Sequence, residues 1–124
     1  METTAPKKRE AIREVYKTSD YVIDTHTAVA AGVYKKYVKD TGDKIPAVIA
    51  STASPYKFTR SVMDAISEGH ENLDDFGLAD ALEKLSGVAV PKAVNDIRTA
   101  PVLHDRVVDA EDMPATVKEI LKIR

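Results

Sequence analysis

An α/β fold, with a few-stranded and mainly parallel sheet flanked by helices, is what this sequence predicts. Two observations carry the prediction. Helical repeats of apolar residues alternate along the chain with short β-prone runs, an order that belongs to layered α/β architecture. One of those runs, Ala47-Val48-Ile49-Ala50, leads into Ser51-Thr52-Ala53-Ser54-Pro55. Small hydroxyl residues, a proline turn and then a helix make the ligand-facing corner of an open α/β sheet. The 124 residues suit a single piece, 1–124, with a modest core.

The elements follow in order. Residues 7–17 place Ile12, Val15 and Tyr16 three and four apart, which suits an amphipathic helix. Tyr21-Val22-Ile23 is a short strand or an extended approach to the next helix. Asp24 is an N-cap candidate for a helix to about Lys39, along which Val29, Val33 and Tyr37 recur every fourth residue and after which Gly42 is the stop. The run at 46–50 lacks polar alternation and reads as a buried strand. From Thr59 a helix turns Val62, Met63 and Ile66 inward and ends by Gly69. Leu78, Leu82 and Leu85 mark a helix closed by Gly87, and Pro91 starts a short one carrying Val94 and Ile97. Residues 102–108 form a third strand candidate. Asp109 caps a last helix with Met113, Val117, Ile120 and Leu121 on one side. Three short strands make a meagre sheet whose edge invites strands from elsewhere.

Composition narrows the function classes. A net charge of −2 with no basic face argues against nucleic acid, and Lys7-Lys8-Arg9 is followed by Glu10 and Glu14 as on a solvated helix start. The absence of cysteine excludes disulfides and thiolate metal sites. No apolar stretch approaches the roughly 20 residues that span a bilayer. The first residues are polar and charged, unlike a signal peptide. No membrane partner and a cytoplasmic location are the expectation.

The corner has wording as well as geometry. Thr52-Ala53-Ser54-Pro55-Tyr56-Lys57-Phe58 resembles the Thr-Ala-x-Pro-x-Lys-Phe signature of threonine synthases, and Asp24-Thr25-His26-Thr27-Ala28-Val29 resembles the same family's Asp-x-His-Thr-Ala-Val segment. The resemblance runs from roughly Arg13 to Lys122. It implies the C-terminal third of an enzyme of the pyridoxal-phosphate fold type II family, a partial piece of its large domain. Such enzymes are lyases that convert O-phospho-L-homoserine and water to L-threonine and phosphate. Thr59-Arg60 is a minor departure from the family wording.

The resemblance also implies roles for particular residues. In that fold a serine or threonine hydroxyl at the end of a late strand meets the pyridine nitrogen of pyridoxal 5'-phosphate, and Thr52 matches that position. A neutral hydroxyl leaves the ring a weaker electron sink than a carboxylate does. A turn or cap role accounts for Thr52 on local grounds alone. Ser51 and Ser54 are candidates to assist it, though turn hydrogen bonding explains either. His26 and Thr27 open a helix whose N-terminus favours anions, so pocket-lining and capping roles both fit them. Lys57 either frames the pocket, pairs with a carboxylate or is simply solvated. It is not the lysine that carries the cofactor, which in the family lies far upstream. Glycines stand singly at 32, 42, 69, 77 and 87, so no phosphate cradle can form. His70 and His104 have no partner at ligand spacing and are expected at the surface.

The expectation is therefore a fragment that is inactive alone and whose partners are the N-terminal part of the same enzyme and the substrate O-phospho-L-homoserine. The alternative is a stand-alone α/β small-molecule binding or interaction module without catalysis.

Overall fold

The computed structural model describes residues 5–123, and among them every regular element is helical. Six α-helices occur: α1 (Ala5–Ser19), α2 (Thr25–Thr41), α3 (Thr59–Ile66), α4 (Asp75–Ser86), α5 (Lys92–Ile97) and α6 (Met113–Leu121). Single 3-10 turns, Pro55–Phe58 and Ala110–Asp112, lead into α3 and α6. The predicted sheet is absent among the described residues, and the α/β expectation is corrected to an all-helical arrangement.

The three strand candidates show why. A β-prone run becomes a strand only when another strand supplies the ladder and a neighbouring surface covers the side chains. Val22 and Ile23 are buried, but as an extended linker wedged beneath the start of α2. In the run at 46–50, read as a buried strand, Val48 is 98% exposed and among the described residues nothing pairs with its backbone. Residues 102–108 also run unpaired, with Val102, Leu103 and Val107 largely exposed.

The helices begin and end close to where local chemistry put them. Asp24 caps α2, and Asp74 caps α4 by accepting from the Gly77 N–H at 2.7 Å. Gly42 and Gly87 close α2 and α4 at φ of 70° and 68°, the left-handed conformation that glycine adopts without a Cβ penalty. The last helix departs from expectation. Asp109 makes no side-chain cap, and α6 starts only after the 3-10 turn.

Ile12, Ala28, Val62, Leu78 and Leu82 form the fully enclosed centre of the core. Around it α1 packs on α2 and α3, and α3 packs on α4. Polar ties reinforce the packing. The Arg13 guanidinium donates to the Ala65 carbonyl at 2.8 Å, and Arg9 pairs with Asp64 at 3.1 Å, both joining α1 to α3. Arg98, just past α5, forks onto Asp80 of α4 at 2.5 and 3.1 Å with its guanidinium over the Phe76 ring. His70, expected at the surface, is buried with Nε2 at 3.4 Å from Asp64. No residue of α6 is buried, and Met113, Val117, Ile120 and Leu121 share an exposed apolar side. None of these helices is long and apolar enough to cross a membrane.

Candidate functional site

The corner after residue 50 is built by the turn into α3. Ser54 is extended and its hydroxyl accepts from the Tyr56 N–H at 3.2 Å, while Pro55 presets the first turn position. Tyr56 then anchors the turn. Its ring is buried in the core and its hydroxyl donates to the Val88 carbonyl beyond the end of α4. Burial, with the charge of Glu83, pushes the Tyr56 hydroxyl above its ordinary pKa, so it stays a donor at neutral pH. Ser54 thus performs the turn role its residue type favours.

The start of α2 faces this corner. Asp24 is fully buried, and its Oδ1 accepts from the His26 N–H at 2.7 Å and the Thr27 N–H at 3.3 Å. Its Oδ2 accepts from the Thr27 hydroxyl and, at 3.3 Å, from the Ser51 hydroxyl. Burial alone pushes this carboxyl up. Hydrogen bonds from the Thr27 hydroxyl, the His26 and Thr27 N–H groups and the Ser51 hydroxyl outweigh it and hold Asp24 below its ordinary value of 3.8. The two N–H groups that a helix start would offer to an anion are therefore already taken by Asp24.

His26 is exposed at the mouth of the same region. Its ring meets the Phe58 ring at 5.1 Å between centroids with a tilt of 51°, and the Lys57 amine lies 5.6 Å from the centre of that Phe58 ring. Phe58 is thus the common neighbour of His26 and Lys57. The structure brings His26, Thr27, Ser51 and Lys57 to one side of the molecule around Phe58 and Asp24. Thr52 stands exposed next to Ser51, with no hydrogen bond to its hydroxyl among the described residues. Sequence reasoning gave Asp24 only a capping role and Phe58 none, though both stood in the family wording. The pairing of Asp24 with Ser51 spans 27 residues and left no local signal.

These residues meet one requirement of pyridoxal phosphate. The free Thr52 hydroxyl is able to donate to or accept from a ring nitrogen. Among the described residues the N–H groups at the start of α2 are bonded to Asp24 and leave no cradle for a phosphate in the corner, and the Lys57 amine lies over the Phe58 ring. Among the described residues no group of His, Asp or Glu side chains is arranged to hold a metal ion.

Comparison with known proteins bears on the same region. Residues 27–89 match the family model described as "Threonine synthase, C-terminal". That span holds nearly all of α2, the corner, α3 and α4. Over 59 residues the chain is 37% identical to a protein of Schizosaccharomyces pombe named threonine synthase, covering 47% of this chain and 12% of the relative. Over 56 residues it is 41% identical to the human protein named threonine synthase-like 1, covering 45% of this chain and 7% of the relative. The matched stretch is thus a small part of either relative.

Proposed function

Since the chain belongs to the threonine synthase C-terminal family, we propose that it is the C-terminal part of a threonine synthase. The parent enzyme converts O-phospho-L-homoserine and water to L-threonine and phosphate with pyridoxal phosphate. The observation that carries the reading is the coincidence of the family match with the one corner where the named residues meet: Thr27, Ser51, Thr52 and Lys57 all lie within 27–89. Two curated relatives bearing threonine synthase names support it.

When bound, the cofactor supplies the electron sink for elimination of phosphate from the substrate. The residues of this chain bind and orient. Thr52 presents a hydroxyl to the pyridine nitrogen and leaves that nitrogen's protonation to its surroundings. Ser51 is held by Thr27 and Asp24, which supports a role in positioning the corner. His26 and Phe58 form a flat wall at the mouth of the corner, with Lys57 as its charged rim.

The lysine that carries the cofactor and the phosphate cradle belong, in this reading, to the N-terminal part of the same enzyme. The test is phosphate release from O-phosphohomoserine by the full-length parent with added pyridoxal phosphate. Cofactor-dependent release supports the reading. A parent that folds and binds neither cofactor nor substrate overturns it in favour of a stand-alone binding or interaction module.

A further inference from the structure

Residues 46–53 cross the surface of the helical body as open chain. Backbone hydrogen bonds do not fasten them, and among the described residues the Ser51 hydroxyl makes their only hydrogen bonds to the helices. Those bonds end on Thr27, 2.8 Å away, and on Asp24, 3.3 Å away. We propose that Asp24 is a positioning residue: one carboxylate oxygen starts α2, the other holds the Ser51 hydroxyl through and beside Thr27, and together they set where Thr52 stands.

The division between the two oxygens carries the inference. Oδ1 takes both backbone N–H groups, with the His26 Nδ1 also 3.3 Å away, and completes the helix cap. Oδ2 takes only hydroxyls, from Thr27 and Ser51. A residue that merely capped α2 would need one acceptor oxygen, and asparagine caps as well as aspartate. A carboxylate has no donor, so it orders both hydroxyl protons in one direction. The Thr27 proton goes to Asp24, and the Ser51 proton points to the acceptors that Thr27 and Asp24 share. Asp24 is fully buried, so water can reach these bonds only from the side of the exposed Ser51. Ser51 and Thr52 are adjacent, so fixing the first limits the second.

The functional consequence rests on the reading of Thr52 as the cofactor-facing hydroxyl; the geometry does not. The experiment is nitrogen-15 relaxation on the full chain, comparing order parameters of residues 50–53 with those of residues 28–38. The wild-type corner should be close to a rigid backbone at about 0.85, falling below about 0.6 in Asp24→Asn, Thr27→Val and Ser51→Ala while α2 is unchanged. Thr27→Ser keeps the hydroxyl and should restore the wild-type values. Ser51 lies at the surface, so Ser51→Ala decides the matter should Asp24→Asn fail to fold. A corner that is already mobile in wild type, or one that is unmoved by Asp24→Asn and Ser51→Ala, overturns the proposal. Failure of the cofactor reading shows separately, as a parent enzyme whose cofactor absorbance is indifferent to Thr52→Val.

Discussion

The Thr27 and Ser51 hydroxyls lie 2.8 Å apart across 24 residues of sequence, joining the first turn of α2 to the loop that leads into α3. The contact places two separately matched family segments on one side of the molecule. It also makes the corner depend on the buried Asp24 behind it.

Thr52→Val in the parent enzyme should leave folding intact and change the chemistry. The hydroxyl makes no hydrogen bond within the described chain, so the stability cost should stay within about 0.5 kcal/mol, as for other exposed positions. Cofactor absorbance and turnover should both change, and Thr52→Ser should behave nearly as wild type. Wild-type turnover with unaltered absorbance in Thr52→Val would return Thr52 to a turn residue.

The isolated chain should release no phosphate from O-phosphohomoserine when pyridoxal phosphate is added. It offers the cofactor a hydroxyl, while the N–H groups at the start of α2 that could hold its phosphate are bonded to Asp24. Turnover of about 1 per second, ordinary for an enzyme, would overturn this expectation.

Acid should loosen the chain through Asp24. Its native pKa lies below the ordinary 3.8, so the stability it contributes is complete above that value and lost as pH falls through the depressed one. Urea midpoints measured from pH 5 down to pH 2 should therefore fall less steeply in Asp24→Asn. Asp80 and Glu119 are also held low by Arg98 and Arg106, the first pair half-buried and the second exposed, but both are kept in Asp24→Asn and cancel in the comparison. The Asp24 contribution should persist at 1 M salt. Identical slopes for wild type and Asp24→Asn at high salt would show that the buried carboxylate contributes nothing.

Leu82→Ala should cost roughly 2–5 kcal/mol, since the side chain is enclosed at the centre of the core. Tyr56→Phe should cost only about 0.5–1.5 kcal/mol, because it removes one hydrogen bond, to the Val88 carbonyl, and keeps the buried ring. Thermal melts of the two variants should rank in that order. A Tyr56→Phe loss as large as that of Leu82→Ala would mean that the turn into α3 depends on the hydroxyl more than on the ring.

Val48→Asp should separate the chain from its parent. In the chain Val48 is 98% exposed, so the change should move stability by no more than about 0.5 kcal/mol. In the parent the same residue should lie against the N-terminal part of the enzyme, where an unpaired charge costs several kcal/mol. Equal, negligible effects in both would argue that residues 46–50 remain open in the whole enzyme.

Much of this protein is determined by sequence alone, and the reason is the range of the forces involved. The cap by Asp24, the left-handed ends at Gly42 and Gly87 and the turn at Ser54-Pro55 act within four residues, so residue type and spacing suffice to read them. The apolar spacing of Val62, Met63, Leu78 and Leu82 likewise picks out buried positions. The family wording at 24–29 and 52–58 marks the corner for the same reason, as contiguous residues.

Tertiary structure decided what needs a distant partner. A β-prone run carries no record of the strand that must pair with it, which is why the runs at 46–50 and 102–108 read as strands and stand open. His70 lacks a ligand-spaced partner in sequence yet is buried beside Asp64 of α3. The second oxygen of Asp24 is the plainest case. Its cap is local, but its hold on Ser51 exists only because α2 packs beside the corner, buries the carboxylate and brings two hydroxyls to its second oxygen.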